Sequence, residues 1–117
     1  MKRGDLVTVA LSGDYGKPRP ALIVQSDAFE LHPSVTLLPL TSDTRDVSLV
    51  RVTVLPENGT GLRKVSQVMV DKVATLSRSK VGPQIGCVNA LTLRAVDAAL
   101  MRFLGLGPEE RSSRSLS

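Results

Sequence analysis

The sequence predicts a mainly β domain, a small, partly open barrel with one helix packed across it, and three observations carry that expectation. Short apolar runs recur with period-two alternation between residues 5 and 76, Gly- and Pro-rich turns separate them, and one stretch near the C-terminus changes to helical spacing. The chain has 117 residues, 42% hydrophobic and 22% charged, enough to bury a single core. We take residues 1–107 as one domain and residues 108–117, which hold Pro108 and Ser112-Ser113-Arg114-Ser115, as a flexible tail.

Asp5 to Leu11 reads as a first strand, with Val7, Val9 and Leu11 on one face and Thr8 on the other. Gly13-Asp14-Tyr15-Gly16 supplies a turn, and Pro18 and Pro20 bracket Arg19 before the apolar run Ala21-Leu22-Ile23-Val24, so Arg19 is held at a strand mouth. Val35 to Leu40 makes a third strand whose consecutive apolar residues suggest burial on both faces, and Pro39 argues for an edge or a bulge there. Val50, Val52 and Val54 alternate with Arg51 and Thr53 as a fourth strand, closed by Pro56-Glu57-Asn58-Gly59 and Gly61. Val65 to Val70 is a fifth, and Val73 to Leu76 continues or neighbours it. Asn89 is a helix N-cap, Val88 and Leu93 occupy staple positions, and Leu93, Val96, Leu100, Phe103 and Leu104 recur at helical spacing until Gly105.

Composition removes several chemistries. The single cysteine, Cys87, cannot form an internal disulfide and fits a reduced cytoplasm; Met1-Lys2-Arg3 is not followed by a signal-peptide core, and no run reaches membrane-spanning length. His32 and Cys87 are single residues without metal-ligand spacing, so neither a metal site nor a Ser-His-Asp or Cys-His device is expected, and His32 reads as a solvated loop residue. The net charge of +4 favours polyanionic partners. Charges in residues 108–117 cancel, so the +4 belongs to the body. Tyr15, Phe29 and Phe103 are too few for a stacking platform, so any RNA contact must lean on phosphates and hydrogen bonds.

A constellation without histidine remains: Lys17 and Arg19 in the first loop, Thr41-Ser42 past the third strand, and Asp71 past the fifth. Attack of an RNA 2′-hydroxyl on its own adjacent phosphate suits such a set, because the nucleophile is already in the substrate. Arg19 would then brace the pentacoordinate phosphorus oxygens and Thr41 would hydrogen-bond the phosphate or relay a proton. Each residue also has an ordinary reading, with Arg19 a solvated charge, Thr41 and Ser42 a turn or cap, and Asp71 a partner for Lys72 or Arg63. Composition and spacing alone favour that ordinary reading.

The order Lys2-Arg3-Gly4-Asp5, Arg19-Pro20-Ala21-Leu22-Ile23-Val24, Pro39-Leu40-Thr41-Ser42, Gly61-Leu62, and Val68-Met69-Val70-Asp71-Lys72 then Thr75 resembles the MazF/PemK toxins of type II toxin–antitoxin systems, from Lys2 to about Leu104. The resemblance implies an SH3-like barrel with a terminal helix, a homodimer, and a cognate acidic antitoxin. It also implies a ribosome-independent, sequence-specific endoribonuclease (an mRNA interferase) that needs no metal or other cofactor and leaves a 2′,3′-cyclic phosphate and a 5′-hydroxyl on single-stranded RNA. By motif position Arg19 and Thr41 would be catalytic and Asp71 would stand at a carboxylate position that some members use. Tyr15, Lys17, Ser42, Arg78 and Lys80 are the expected RNA-binding residues.

This sequence departs from the family pattern in three places. The first loop, Ser12 to Pro18, is short and lacks the usual Glu-Gln pair, so Tyr15 and Lys17 are expected to substitute by stacking and by charge. Met69 stands where some members carry a catalytic arginine, and Ala74 where a basic residue is frequent. The alternative function is that of a CcdB-like toxin of the same fold family, which binds and poisons DNA gyrase and cuts nothing; a member serving only as a binding module is a third.

Overall fold

The computed structural model describes residues 1–11, 17–45 and 50–107. Within them the chain forms β1 (Asp5–Val9), β2 (Arg19–Ile23), β3 (Ser34–Thr41), β4 (Arg51–Val54), β5 (Ser66–Met69), β6 (Ala74–Ser77), β7 (Gln84–Cys87) and α1 (Ala90–Leu104). The strands join in one curled antiparallel sheet in the order β4-β5-β3-β2-β1-β7, with β6 also paired to β3. This is the mainly β, half-barrel architecture with a C-terminal helix that the alternation predicted.

β3 organises the sheet, and its pairing explains Pro39. Ser34 to Leu37 face β6, whereas Leu40 and Thr41 face β5. Pro39 therefore lies in a central strand, where β3 has left one partner and not yet met the next, while on the other side it pairs with Ala21. The expected edge is corrected to this handover, a position where a missing N–H breaks no continuous ladder.

Strand parity divides the apolar residues into two clusters. Leu6, Leu22, Leu38, Leu40, Val54 and Val68 pack with Val96 and Ala99 of α1 on one face. Val7, Val9, Ala21, Ile23, Val35 and Leu37 form the other, covered by Leu11, Ala74, Leu76 and Val81. Burial of β3 on both faces is thus achieved within one chain.

Several boundaries sharpen. β5 stops at Met69 and gives way to a 3-10 turn, Val70–Lys72, and β6 neighbours β3 instead of extending β5. β7 was not anticipated. It pairs with β1 across a register shift between Leu6 and Val7. The helix follows its sequence signals: the Asn89 side chain accepts from Thr92 N–H at 2.8 Å, and Gly105 ends it with φ 69°. Val88 and Leu93 both pack on the core, as the staple requires. Phe103 and Leu104, counted with the apolar stripe, are about half exposed.

The N-terminal Lys2-Arg3-Gly4-Asp5 stretch is a structural clamp. The Arg3 guanidinium donates to Val24 O at 2.8 Å and pairs with Asp97 of α1, and Asp5 accepts from Lys2 N–H at 2.7 Å. The tail, residues 108–117, lies outside the described residues.

Candidate active site

The register of β2 and β3 assembles the site. Ile23 pairs with Leu37, Leu22 with Leu38 and Ala21 with Pro39, a register that, continued by two residues, would set Arg19 opposite Thr41. Opposed side chains in an antiparallel pair lie on one face, with Cβ atoms about 4.5–5.5 Å apart. Arg19 and Thr41 do line one open groove of about 1000 Å³. Both are half-buried.

The groove collects charge of one sign. Among the described residues, Lys17, Arg19, Arg63 and Lys64 line it, four cations, with no carboxylate beside them. Thr8, Thr41, Ser42 and Ser66 add hydroxyls. Thr41 Oγ1 accepts from Asp43 N–H at 3.1 Å, which anchors the oxygen while leaving the hydroxyl proton to be donated.

Arg63 and Lys64 reach the groove because of Gly61. Gly61 has φ +73°, and a Cβ there would meet the Ile85 carbonyl oxygen at 2.1 Å. Only glycine lets this turn lie against β7, and the same contact directs the next residues over the groove. Thr60 Oγ1 braces the turn by accepting from Leu62 N–H at 3.2 Å.

Thr41 also borders a second cavity of about 440 Å³, shared with Asp43, Arg45, Arg51 and Met69. Pairing of Thr41 with Gln67 and of Arg51 with Met69 puts these residues on one face of β3, β5 and β4, away from Leu40, Val52 and Val68. Arg45 grips Asp43 with two side-chain bonds, 2.9 and 2.7 Å, and these hold the Asp43 carboxyl at about 2, helped by its bond to the Arg45 N–H and by the charges of Arg45 and Arg51. Both groups are well exposed, so the pair adds little to stability.

Of the predicted site residues, the structure brings Lys17, Arg19, Thr41 and Ser42 together. Asp71 does not line the groove; its carboxylate binds Arg51 Nε at 3.2 Å, with Lys72 Nζ at 4.0 Å, so its partners are Arg51 and Lys72 and not Arg63. Arg78 and Lys80, expected to bind RNA, do not line this groove. They follow β6, whose Ser77 pairs with Ser34 at the far end of β3, about 23 Å of strand from Thr41 at roughly 3.3 Å per residue. Arg78 instead donates to His32 O at 2.8 Å. Tyr15 lies outside the described residues. Sequence reasoning missed Thr8, Arg51, Arg63, Lys64 and Ser66. The alternation of Arg51 with the core valines already set it on the face away from the core, and Arg63-Lys64 directly follow the glycine turn.

Among the described residues no group of three or more His, Cys, Asp or Glu side chains is arranged to hold a metal ion, and no helix is long and apolar enough to cross a membrane.

A half-barrel that presents a cationic, hydroxyl-lined groove at the ends of its strands is a protein built to receive a polyanion. The family model described as PemK-like, MazF-like toxin of type II toxin–antitoxin systems matches residues 2–104, and the chain belongs to that family. It is 43% identical over 107 residues to a probable endoribonuclease MazF of Mycolicibacterium smegmatis, covering 91% of this chain and 98% of that protein. Among solved structures it is similar to a mycobacterial endoribonuclease in complex with its cognate antitoxin, with TM-score 0.78 and 28% identity over 92% of this chain and 97% of that one. A MazE–MazF structure from Deinococcus radiodurans gives TM-score 0.70 and 28% identity over 90% and 95%.

Proposed function

We propose that this toxin is a sequence-specific endoribonuclease that cleaves single-stranded RNA in the groove between Arg19 and Thr41. The observation that supports it best is that both side chains line one groove which, among the described residues, carries four cations and no carboxylate. The substrate supplies its own nucleophile. As the 2′-oxygen bonds to phosphorus, the bond from phosphorus to the 5′-oxygen breaks, the 2′-proton is lost and the leaving oxygen gains one. Charge builds on the non-bridging oxygens, where Arg19 stabilises it, and the Thr41 hydroxyl donates to the phosphate or passes the proton. The products are a 2′,3′-cyclic phosphate and a 5′-hydroxyl, and no step calls for a metal ion or other cofactor.

Lys17, Ser42, Arg63 and Lys64 hold flanking phosphates, while Arg78 and Lys80 stand apart and add only long-range attraction. Asp71 keeps a supporting part, since its carboxylate is bound to Arg51. The working unit is the single domain of residues 1–107, acting in the cytoplasm as a homodimer; the exposed Met101, Phe103, Leu104 and Leu106 support a covering second copy. A cognate acidic antitoxin occupies the RNA groove. The relatives named above are endoribonucleases, and the CcdB-like alternative is not favoured. Incubating the purified protein with a long RNA in EDTA and mapping the new 5′ ends tests the reading: recurrent cuts at one short sequence, with 5′-hydroxyl ends, are expected. Intact RNA beside inhibited gyrase would overturn it.

A further inference from the structure

We infer that Thr8 and Ser66 are specificity-determining residues that read the two bases flanking the scissile phosphate, one on each side, a role that rests on the RNA-cleavage reading above. The groove crosses the ends of four neighbouring strands, in the order β5, β3, β2 and β1. Arg19 on β2 and Thr41 on β3 hold its middle, and Thr8 on β1 and Ser66 on β5 stand one strand further out on either side. Each therefore lies about one strand spacing, roughly 4.8 Å, outside the pair that brackets the phosphate.

Strand parity gives the groove two unlike sides. Arg19 and Thr41 share the parity of Ala21 and Leu37, whereas Thr8, Pro20, Leu40 and Ser66 share that of Leu6, Leu22 and Val68, the cluster covered by α1. The cationic side is thereby joined to an apolar wall of Pro20, Leu40 and Leu62, the last two packed with that cluster. A phosphate is charged, whereas a base is apolar on its faces and hydrogen-bonds along its edge, so a splayed single strand fits phosphates to one side and bases to the other. No aromatic side chain is among the described residues of the lining, which leaves discrimination to contacts with the base edge. Two hydroxyls interrupt the apolar alternation where they can make such contacts: Thr8 follows Leu6 in β1, and Ser66 precedes Val68 in β5. The Thr8 hydroxyl has no hydrogen-bond partner among the described residues and can donate or accept. Gly82 leaves it uncovered, since a Cβ there would lie 2.5 Å from Thr8 Oγ1. Ser66 Oγ donates to Lys64 O at 3.0 Å, so towards the groove it can only accept.

The test uses the full-length protein and oligonucleotides containing its mapped cleavage sequence, with each of the four bases, or an abasic sugar, at either neighbour of the cut. Wild type should favour one base at each position, read as kcat/KM. Thr8→Val should lower that preference about five- to tenfold, the loss of about one hydrogen bond, on one side of the cut only, and Ser66→Ala on the other side only. With an abasic sugar at the matching position, variant and wild type should cut at equal rates. Neither variant should change the salt slope of binding, whereas Lys64→Gln should weaken all sequences alike and lower that slope by about one. Unchanged preference on both sides, a uniform loss over all sequences, both variants acting on the same base, or a wild type indifferent to both neighbours overturns the proposal while the RNA-cleavage reading stands. Should Ser66→Ala, at a buried position, not fold, the Thr8→Val comparison at both positions still decides. A wild type that cuts no RNA overturns that reading and this one together.

Discussion

At the scale of single residues, the proposed chemistry rests on a guanidinium whose place is set by its neighbours. Pro18 and Pro20 limit the backbone around Arg19, and β2 pairs Arg19 with Val9 on its other side, so the charge is aimed before substrate arrives. Arg19→Ala should fold normally, by circular dichroism and melting, and lose at least about 10²–10³-fold in kcat on RNA. Arg19→Lys should remain badly impaired, because a point charge does not replace a planar fork. Retained activity in the alanine variant would remove Arg19 from the mechanism. Thr41 separates hydroxyl from shape: Thr41→Ser keeps the oxygen that accepts from Asp43 N–H, whereas Thr41→Val keeps the volume and loses it. Turnover should survive in the first and collapse in the second, and equal rates in valine and wild type would make Thr41 structural. Both residues were legible in the sequence because prolines and strand ends marked them. The place of Arg51 beside Thr41 was not, since its bond to Asp71 and its position opposite Met69 depend on the register of β4 against β5.

At the scale of elements, local signals succeeded where the chain decides locally and failed where a distant partner decides. Asn89, Val88, Leu93 and Gly105 frame α1 because caps and staples act within one turn. β7 escaped notice because Gln84-Ile85-Gly86-Cys87 has low strand propensity and exists through its pairing with β1 and its contact with the Gly59–Gly61 turn, where Cys87 N–H donates to Gly59 O at 2.8 Å. Arg78 and Lys80 were expected to bind RNA, but β6 carries the chain to the opposite end of β3, away from the groove. The same turn yields a prediction. Gly61→Ala combines a left-handed φ with a backbone clash, while Gly59→Ala, at φ +93°, meets nothing within 4 Å. Gly61→Ala should lose more than the roughly 1–3 kcal/mol of a strained φ alone and raise KM for RNA by displacing Arg63 and Lys64; Gly59→Ala should lose less and keep KM. Equal melting temperatures in the two variants would show that the contact with β7 does not hold the groove wall.

At the scale of the whole molecule, charge decides what competes for the groove. The chain carries +4, and among the described residues the lining of the groove concentrates four cations without an opposing carboxylate, so it would attract a run of carboxylates for the same reason it would attract phosphates. An acidic antitoxin segment laid along this surface would cover Arg19 and Thr41 directly, and inhibition would be competitive with RNA. Steering by exposed charge is screened beyond roughly 8 Å at physiological ionic strength, so antitoxin association should slow steeply as salt rises while dissociation changes less. Lys64→Gln removes one groove cation and should lower the association rate of antitoxin and of RNA together; Lys80→Gln, remote from the groove, should affect both far less. Stopped-flow binding of the antitoxin, with and without a saturating uncleavable RNA, measures all of this in one series. If both ligands bind at once with unchanged affinities, the antitoxin acts from another surface. Parallel loss of both in Lys64→Gln, with Lys80→Gln unaffected, would locate toxicity and its neutralisation in the same few cations that the Gly61 turn holds over the ends of β2 and β3.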